Sequence, residues 1–108
     1  MAVTEIRSTA LEASHVLKTS GGNLKHLSVF NSKGSAQFIM IINATALPSN
    51  GAVDLLYPPI PIAANTLLLL EMPDAIYASK GITVANSSTG TFSLTVGSAD
   101  CAFYAQLP

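Results

Sequence analysis

The side chains with the widest chemical range in this sequence are two histidines, one cysteine and six carboxylates: His15, His26, Cys101, Glu5, Glu12, Asp54, Glu71, Asp74 and Asp100. Histidine beside a carboxylate can hold a metal or pass a proton, but ligand spacings such as H-x-E-x-H or H-x3-H are absent, and the two histidines fall on separate expected strands. They are expected at the surface or in an interface. Cys101 follows Asp100 in a turn before the last apolar run. Nothing marks a base that would make it a nucleophile, so it is expected as a small buried residue. As the single cysteine it forms no intrachain disulfide. The acids form no D-x-D cluster for calcium or magnesium, and Glu71 and Asp74 flank Met72-Pro73 in a turn, where carboxylates keep a loop wet. Neither phosphate-cradling glycine pattern occurs. With no Trp, three Tyr and four Phe, a sugar-stacking platform is thin. Enzyme and lectin are therefore both disfavoured: no catalytic residue, cofactor or metal site is expected.

The elements that carry these residues follow from the turn signals. Ser20-Gly21-Gly22-Asn23, Ser32-Lys33-Gly34-Ser35, Pro48-Ser49-Asn50-Gly51, Lys80-Gly81, Ser88-Thr89-Gly90 and Gly97-Ser98-Ala99-Asp100 recur at intervals typical of an all-β chain. Between them lie strand-length runs rich in β-branched and aromatic residues, at 24–31, 36–44, 82–86, 91–96 and 101–107. Residues 8–22 could instead spell a short helix closed by paired glycines. An extended arm followed by a strand near residues 15–19 is preferred, because a lone helix with one leucine face buries little. The expected organisation is an extended N-terminal arm, 1–12, and a β-sandwich, 13–108.

"FIMII", residues 38–42, is apolar on both faces, so its strand is central and covered on both sides. "TFSLTV" alternates, Phe92, Leu94 and Val96 against Thr91, Ser93 and Thr95; the run from Cys101 alternates less cleanly. Two antiparallel sheets packed face to face answer both patterns, with about seven to nine short strands. The core is expected to include Leu27, Val29, Phe38, Met40, Leu68, Phe92, Leu94 and Phe103. "LLYPPIPIAANTLLLL", residues 55–70, carries no charge and three prolines. It is too short and too broken to span a bilayer, so no membrane partner is expected. "YPPIPI" becomes a connection or an edge segment and "TLLLL" a paired strand. Tyr57, Ile60 and Ile62 then either cap the molecule's own core or present a stiff docking surface.

Charged residues make up 10% of the chain, well under the roughly 25% of an ordinary soluble domain. A net charge of -1 gives little colloidal repulsion, so much of the surface is expected to lie against other subunits. Residues 1–33 are basic on balance and the remainder acidic, but no clustered basic face suggests nucleic acid. Met1 looks like a start, and no secretory signal follows it. Synthesis in a reducing cytoplasm is expected, where the sequons at Asn43 and Asn86 are accidental.

The string "HVLKTSGGNLKHLSVFNSKGSAQFIMIINATALPSNGAV", followed by "PIPIAANTLLLLEMP", "GITVANSSTGTFSLTV" and "DCAFYAQL", resembles small virion proteins of tailed bacteriophages, in particular the β-sandwich or jelly-roll decoration (cement) proteins that bind the outside of a capsid. The resemblance is one of order and texture over almost the whole chain. It implies a non-enzymatic protein that oligomerises with itself, as a homodimer or homotrimer, and staples neighbouring copies of the major capsid protein on the virion surface. Tail or neck accessory modules that bind a receptor or carbohydrate share the texture and form the alternative. Under the decoration reading, Val3 and Ile6 of the arm and Tyr57, Ile60 and Ile62 are expected to supply intersubunit contacts.

Overall fold

The computed structural model describes residues 3–108. Its strands, in chain order, are β1 (Thr4–Arg7), β2 (Ser14–Lys18), β3 (Gly22–Asn31), β4 (Gln37–Ile42), β5 (Gly51–Ala52), β6 (Ile60–Ile62), β7 (Thr66–Ala78), β8 (Ile82–Ser87), β9 (Ser93–Leu94) and β10 (Cys101–Leu107). One four-stranded sheet runs β1-β10-β3-β7, a second runs β2-β8-β4-β6, and every pairing is antiparallel. First and last strands are neighbours, and apart from β4 and β6, which pair with each other, successive strands of the two sheets alternate between them. That is the jelly roll, in which two Greek keys close a sandwich.

Alternation decides what each strand buries. β10 turns Cys101, Phe103, Ala105 and Leu107 inward, and they meet Leu27 and Val29 of β3, Ile39 and Ile41 of β4, and Ile82 and Val84 of β8 between the sheets. β4 is central and buries both faces. Its other side, Met40 and Ile42, packs with Ala85 and Leu94 in a second cluster, roofed by half-buried Val53, Leu55 and Val96 from the segments around β5 and β9. The little β5–β9 sheet is thus a third layer. It explains how "FIMII" can be apolar throughout, each large side chain contributing roughly 1.5–3 kcal/mol by burial.

Among the described residues the roll has eight strands, within the expected seven to nine, and the two-residue pieces β5 and β9 bring the total to ten. Several expectations need correction. Phe92 is 66% exposed and outside the core. The chain reaches strand geometry only at Ser93, after the Phe92 carbonyl has accepted a bond from the Val53 N–H. Phe38 and Leu68 are half-buried; Phe38 lies on the outer side of β4 under Gly90. The other five expected core residues are buried. The segment open to helix or strand is the strand β2, with a bulge at Leu17 that turns this leucine into the core.

Of the expected arm, Thr4–Arg7 runs as β1 along β10, from Thr4 opposite Leu107 to Arg7 opposite Tyr104. Met1 and Ala2 lie outside the described residues. In "YPPIPI", Tyr57 to Pro59 connect, and β6 is an edge strand on β4 with Pro61 opposite Phe38. An edge is where a strand tolerates a missing N–H.

Candidate interaction surface

The sheet β1-β10-β3-β7 has one face in the core and one open. The register writes the open face as three rows. The first holds Ala102, Phe30 and Leu67; the second Arg7, Tyr104, Ser28 and Leu69; the third Glu5, Gln106, His26 and Glu71. Phe30, Leu67 and Leu69 are 40%, 55% and 65% exposed, and they adjoin one another at the β7 side. Towards β1 the face is polar.

That polar part is two hydrogen-bonded groups that meet through an aromatic contact. His26 Nδ1 lies 2.6 Å from Glu71 Oε1, and its Nε2 lies 2.6 Å from Ser28 Oγ. In the neutral ring Nδ1–H donates to the carboxylate and Nε2 accepts from the hydroxyl. The His26 ring meets Tyr104 edge-on at 5.8 Å, and Tyr104 donates to Glu5 Oε2 at 2.5 Å. Gln106 Nε2 donates to the Tyr104 hydroxyl at 2.9 Å, while the Arg7 guanidinium lies 5.8 Å from the Tyr104 ring centre. A serine, a histidine and a glutamate in this order share the bonding pattern of a nucleophilic triad. Here they stand on the open face of the sheet, Ser28 and His26 on β3 and Glu71 opposite on β7. They tie β3 to β7, while the Tyr104–Glu5 bond ties β10 to β1.

A second polar group lies inside the sandwich at one end. Gln37, Asn31 and Asn86 point inward from β4, β3 and β8 towards Asp100 and Cys101. Gln37 Nε2 is 2.8 Å from both Asn31 Oδ1 and Asp100 Oδ1, and Asn86 Nδ2 donates to Asp100 Oδ1 at 2.9 Å and to the Ser98 carbonyl at 2.8 Å. Asn86 Oδ1 accepts from the Gly97 N–H at 3.0 Å. A Cβ at Gly97 would stand 2.9 Å from Asn86 Oδ1 and 3.2 Å from Gln37 Oε1, so a side chain here would push these amides out of their present positions. Burial pushes the Cys101 thiol up to about 11, against a lowering by the Asn86 contact and a further rise from Asp100. The thiol stays protonated and unreactive at neutral pH.

The expected contact residues do not come together. Val3 is exposed beside β1, and Ile6 is half-buried on the core. β1 borders β2 across a cavity of about 310 Å³, lined in part by Ile6, Leu17, Lys18 and Leu107. Tyr57, Ile60 and Ile62 belong to the opposite edge, where β6 meets β7. Tyr57 is exposed, but Ile60 packs on the core and Ile62, 2% exposed, belongs to it. Among the described residues no group of three or more His, Cys, Asp or Glu is placed to hold a metal.

The sequence reading missed Phe30, Leu67 and Leu69. Two signals carry them: the alternation of His26, Ser28 and Phe30 with buried Leu27 and Val29, and the four leucines of "TLLLL". In a strand with one wet face four consecutive leucines cannot all be buried.

No family model matches the chain, and no curated protein matches it in sequence. Among solved structures it is similar to the coat protein of Tobacco streak virus, with a TM-score of 0.52 and 7% identity over 99% of this chain and 85% of that one. At that identity the likeness is one of fold.

Proposed function

We propose that this chain is a structural protein of a virion, one that binds the outside of a phage capsid and stabilises it without catalysis. The observation that carries the reading is the jelly roll itself, which follows the fold of a viral coat protein along nearly the whole chain. Two features support the finer role of decoration: few charges to wet a free surface, and an open sheet face with an apolar side. Its partners are then the major capsid protein and copies of itself, on a capsid assembled in the host cytoplasm. Val3 and Tyr57, exposed at opposite edges, are contact candidates. Mechanically, a protein that binds the expanded shell and not its precursor stabilises the expanded state by mass action.

The alternative, a tail or neck module for a receptor or carbohydrate, calls for exposed aromatics grouped on loops at one end. Phe30, Tyr57, Tyr77 and Phe92 are instead spread over four separate segments. The test is co-sedimentation of the purified chain with empty phage heads before and after expansion. Retention by expanded heads alone is expected. Closed shells formed by the chain unaided would make it a coat subunit, and retention by neither head form would overturn the decoration reading.

A further inference from the structure

We infer that two copies of this chain pair through β7, edge to edge and antiparallel, joining their β1-β10-β3-β7 sheets into one. β7 lies at the sheet's border; it pairs with β3 over residues 66–71 and again over 76–78, with an irregularity between, so its regular open stretch is 66–71. Among the described residues, no backbone group bonds to the outer side of 67–71. Proteins protect such borders with charge, proline, short length or a covering loop. The stretch from Thr66 to Leu70 has none of these protections; the first charge is Glu71 and the first proline Pro73.

The occupant follows from the side chains. Placing Leu68 opposite Leu68 of a second copy sets Leu67 against the second copy's Leu69, and Leu69 against its Leu67. Phe30 then flanks each pair, and the two exposed apolar patches become one covered strip. Sliding by two residues in one direction sets Leu67 against Glu71. Sliding further, to place Glu71 at the centre, sets two carboxylates face to face, which costs stability. In the leucine-centred register Glu71 instead meets Asn65, whose N–H is held by the Lys33 carbonyl at 3.1 Å. Each end of the junction thus brings a carboxylate beside the turn that the Lys33 carbonyl closes, free of a second carboxylate. Sliding the other way pairs Leu67 with Leu67 but sets Leu69 against Asn65, so the register centred on Leu68 is the one that covers the most apolar surface.

The contact is small. A border of about six residues with three apolar side chains per copy falls below the roughly 800 Å² per partner of standard stable complexes. The pair is therefore expected to dissociate on the order of micromolar concentration, and capsid binding would raise its local concentration. The inference deepens the self-association within the proposed function but does not require a capsid, so the two are tested separately.

The experiment uses the whole chain. Sedimentation velocity across a concentration series should show a monomer–dimer equilibrium, and Leu67→Lys/Leu69→Lys should remain monomeric throughout with an unchanged far-UV spectrum and melting temperature. For the register, Leu67→Cys chains mixed with Leu69→Cys chains should form a disulfide-linked pair under mild oxidation, each alone linking at least several-fold less. Cys101, buried, stays out of the reaction. A wild-type monomer at all concentrations, or a dimer that survives the lysines, would overturn the inference. If the wild type is monomeric but the lysines abolish retention on expanded heads, a capsid strand and not a second copy covers β7, and self-pairing is wrong. Failure of head binding with an intact dimer would strike only the decoration reading.

Discussion

At the scale of single residues, the inward-facing amides at one end of the sandwich are the least replaceable polar groups. Asn86 serves two acceptors and one donor within the interior. Asn86→Ala removes three bonds at once, at about 0.5–1.5 kcal/mol each, while Asp100 keeps its bond from Gln37 and the Ser98 carbonyl keeps the Asp100 N–H. A loss of about 2–4 kcal/mol is expected, measurable by urea denaturation. Cys101 gives a prediction with a definite sign. Its folded-state value of about 11 lies above the ordinary 9.0, so the folded chain holds the proton more tightly than the unfolded one. The thiol's stabilising contribution is full below pH 9.0 and is lost as pH rises through about 11. Cys101→Ala should flatten that alkaline decline, and a thiol reagent at pH 8 should label the wild type only as fast as it unfolds. The sequence showed Cys101 as a buried residue through its place in an alternating strand. It could not show the amide cluster: Asn31, Gln37 and Asn86 are far apart in the chain, and amides in strands ordinarily point to water.

At the scale of elements, the strands were legible where composition and alternation agreed. β10 and β4 are such cases, with β4 apolar on both faces because two different layers cover it. The edges were not legible, because an edge strand differs from a connection only by what lies beside it. β6 shows the difficulty. Three prolines left open both a lid on the chain's own core and a presented docking segment, and Ile62 reaches the intersheet core from the border strand. Ile62→Ser exposes an unpaired hydroxyl to that core and removes an aliphatic group, so a destabilisation of about 2–4 kcal/mol is expected from chemical denaturation. Tyr57→Ser, at an exposed site, should change stability by less than about 0.5 kcal/mol. If the two substitutions had equal effects, β6 would not be the lid of its own sandwich. β1 makes the same argument at the other border: only the pairing with β10 distinguishes it from a loose tail.

At the scale of the whole molecule, the charge-poor composition sets how it associates. With five basic and six acidic side chains and a net charge of -1, no strong field steers or repels a second copy or a capsid. The surface that remains to form contacts is an apolar strip and an open strand border, whose hydrogen bonds and buried area are insensitive to screening. The Glu71 and Lys33 corners are partly or fully exposed and contribute little by comparison. Raising salt from about 0.1 M to about 1 M shortens the Debye length from ~10 Å to ~3 Å and removes most long-range charge effects. Association through β7 should therefore weaken by no more than about twofold over that range with chloride. With sulfate it should strengthen, since an excluded salt favours burial of apolar surface. Sedimentation velocity at several salt concentrations measures both. A tenfold weakening with chloride would mean that charge pairs, and not the leucine strip, hold the copies together.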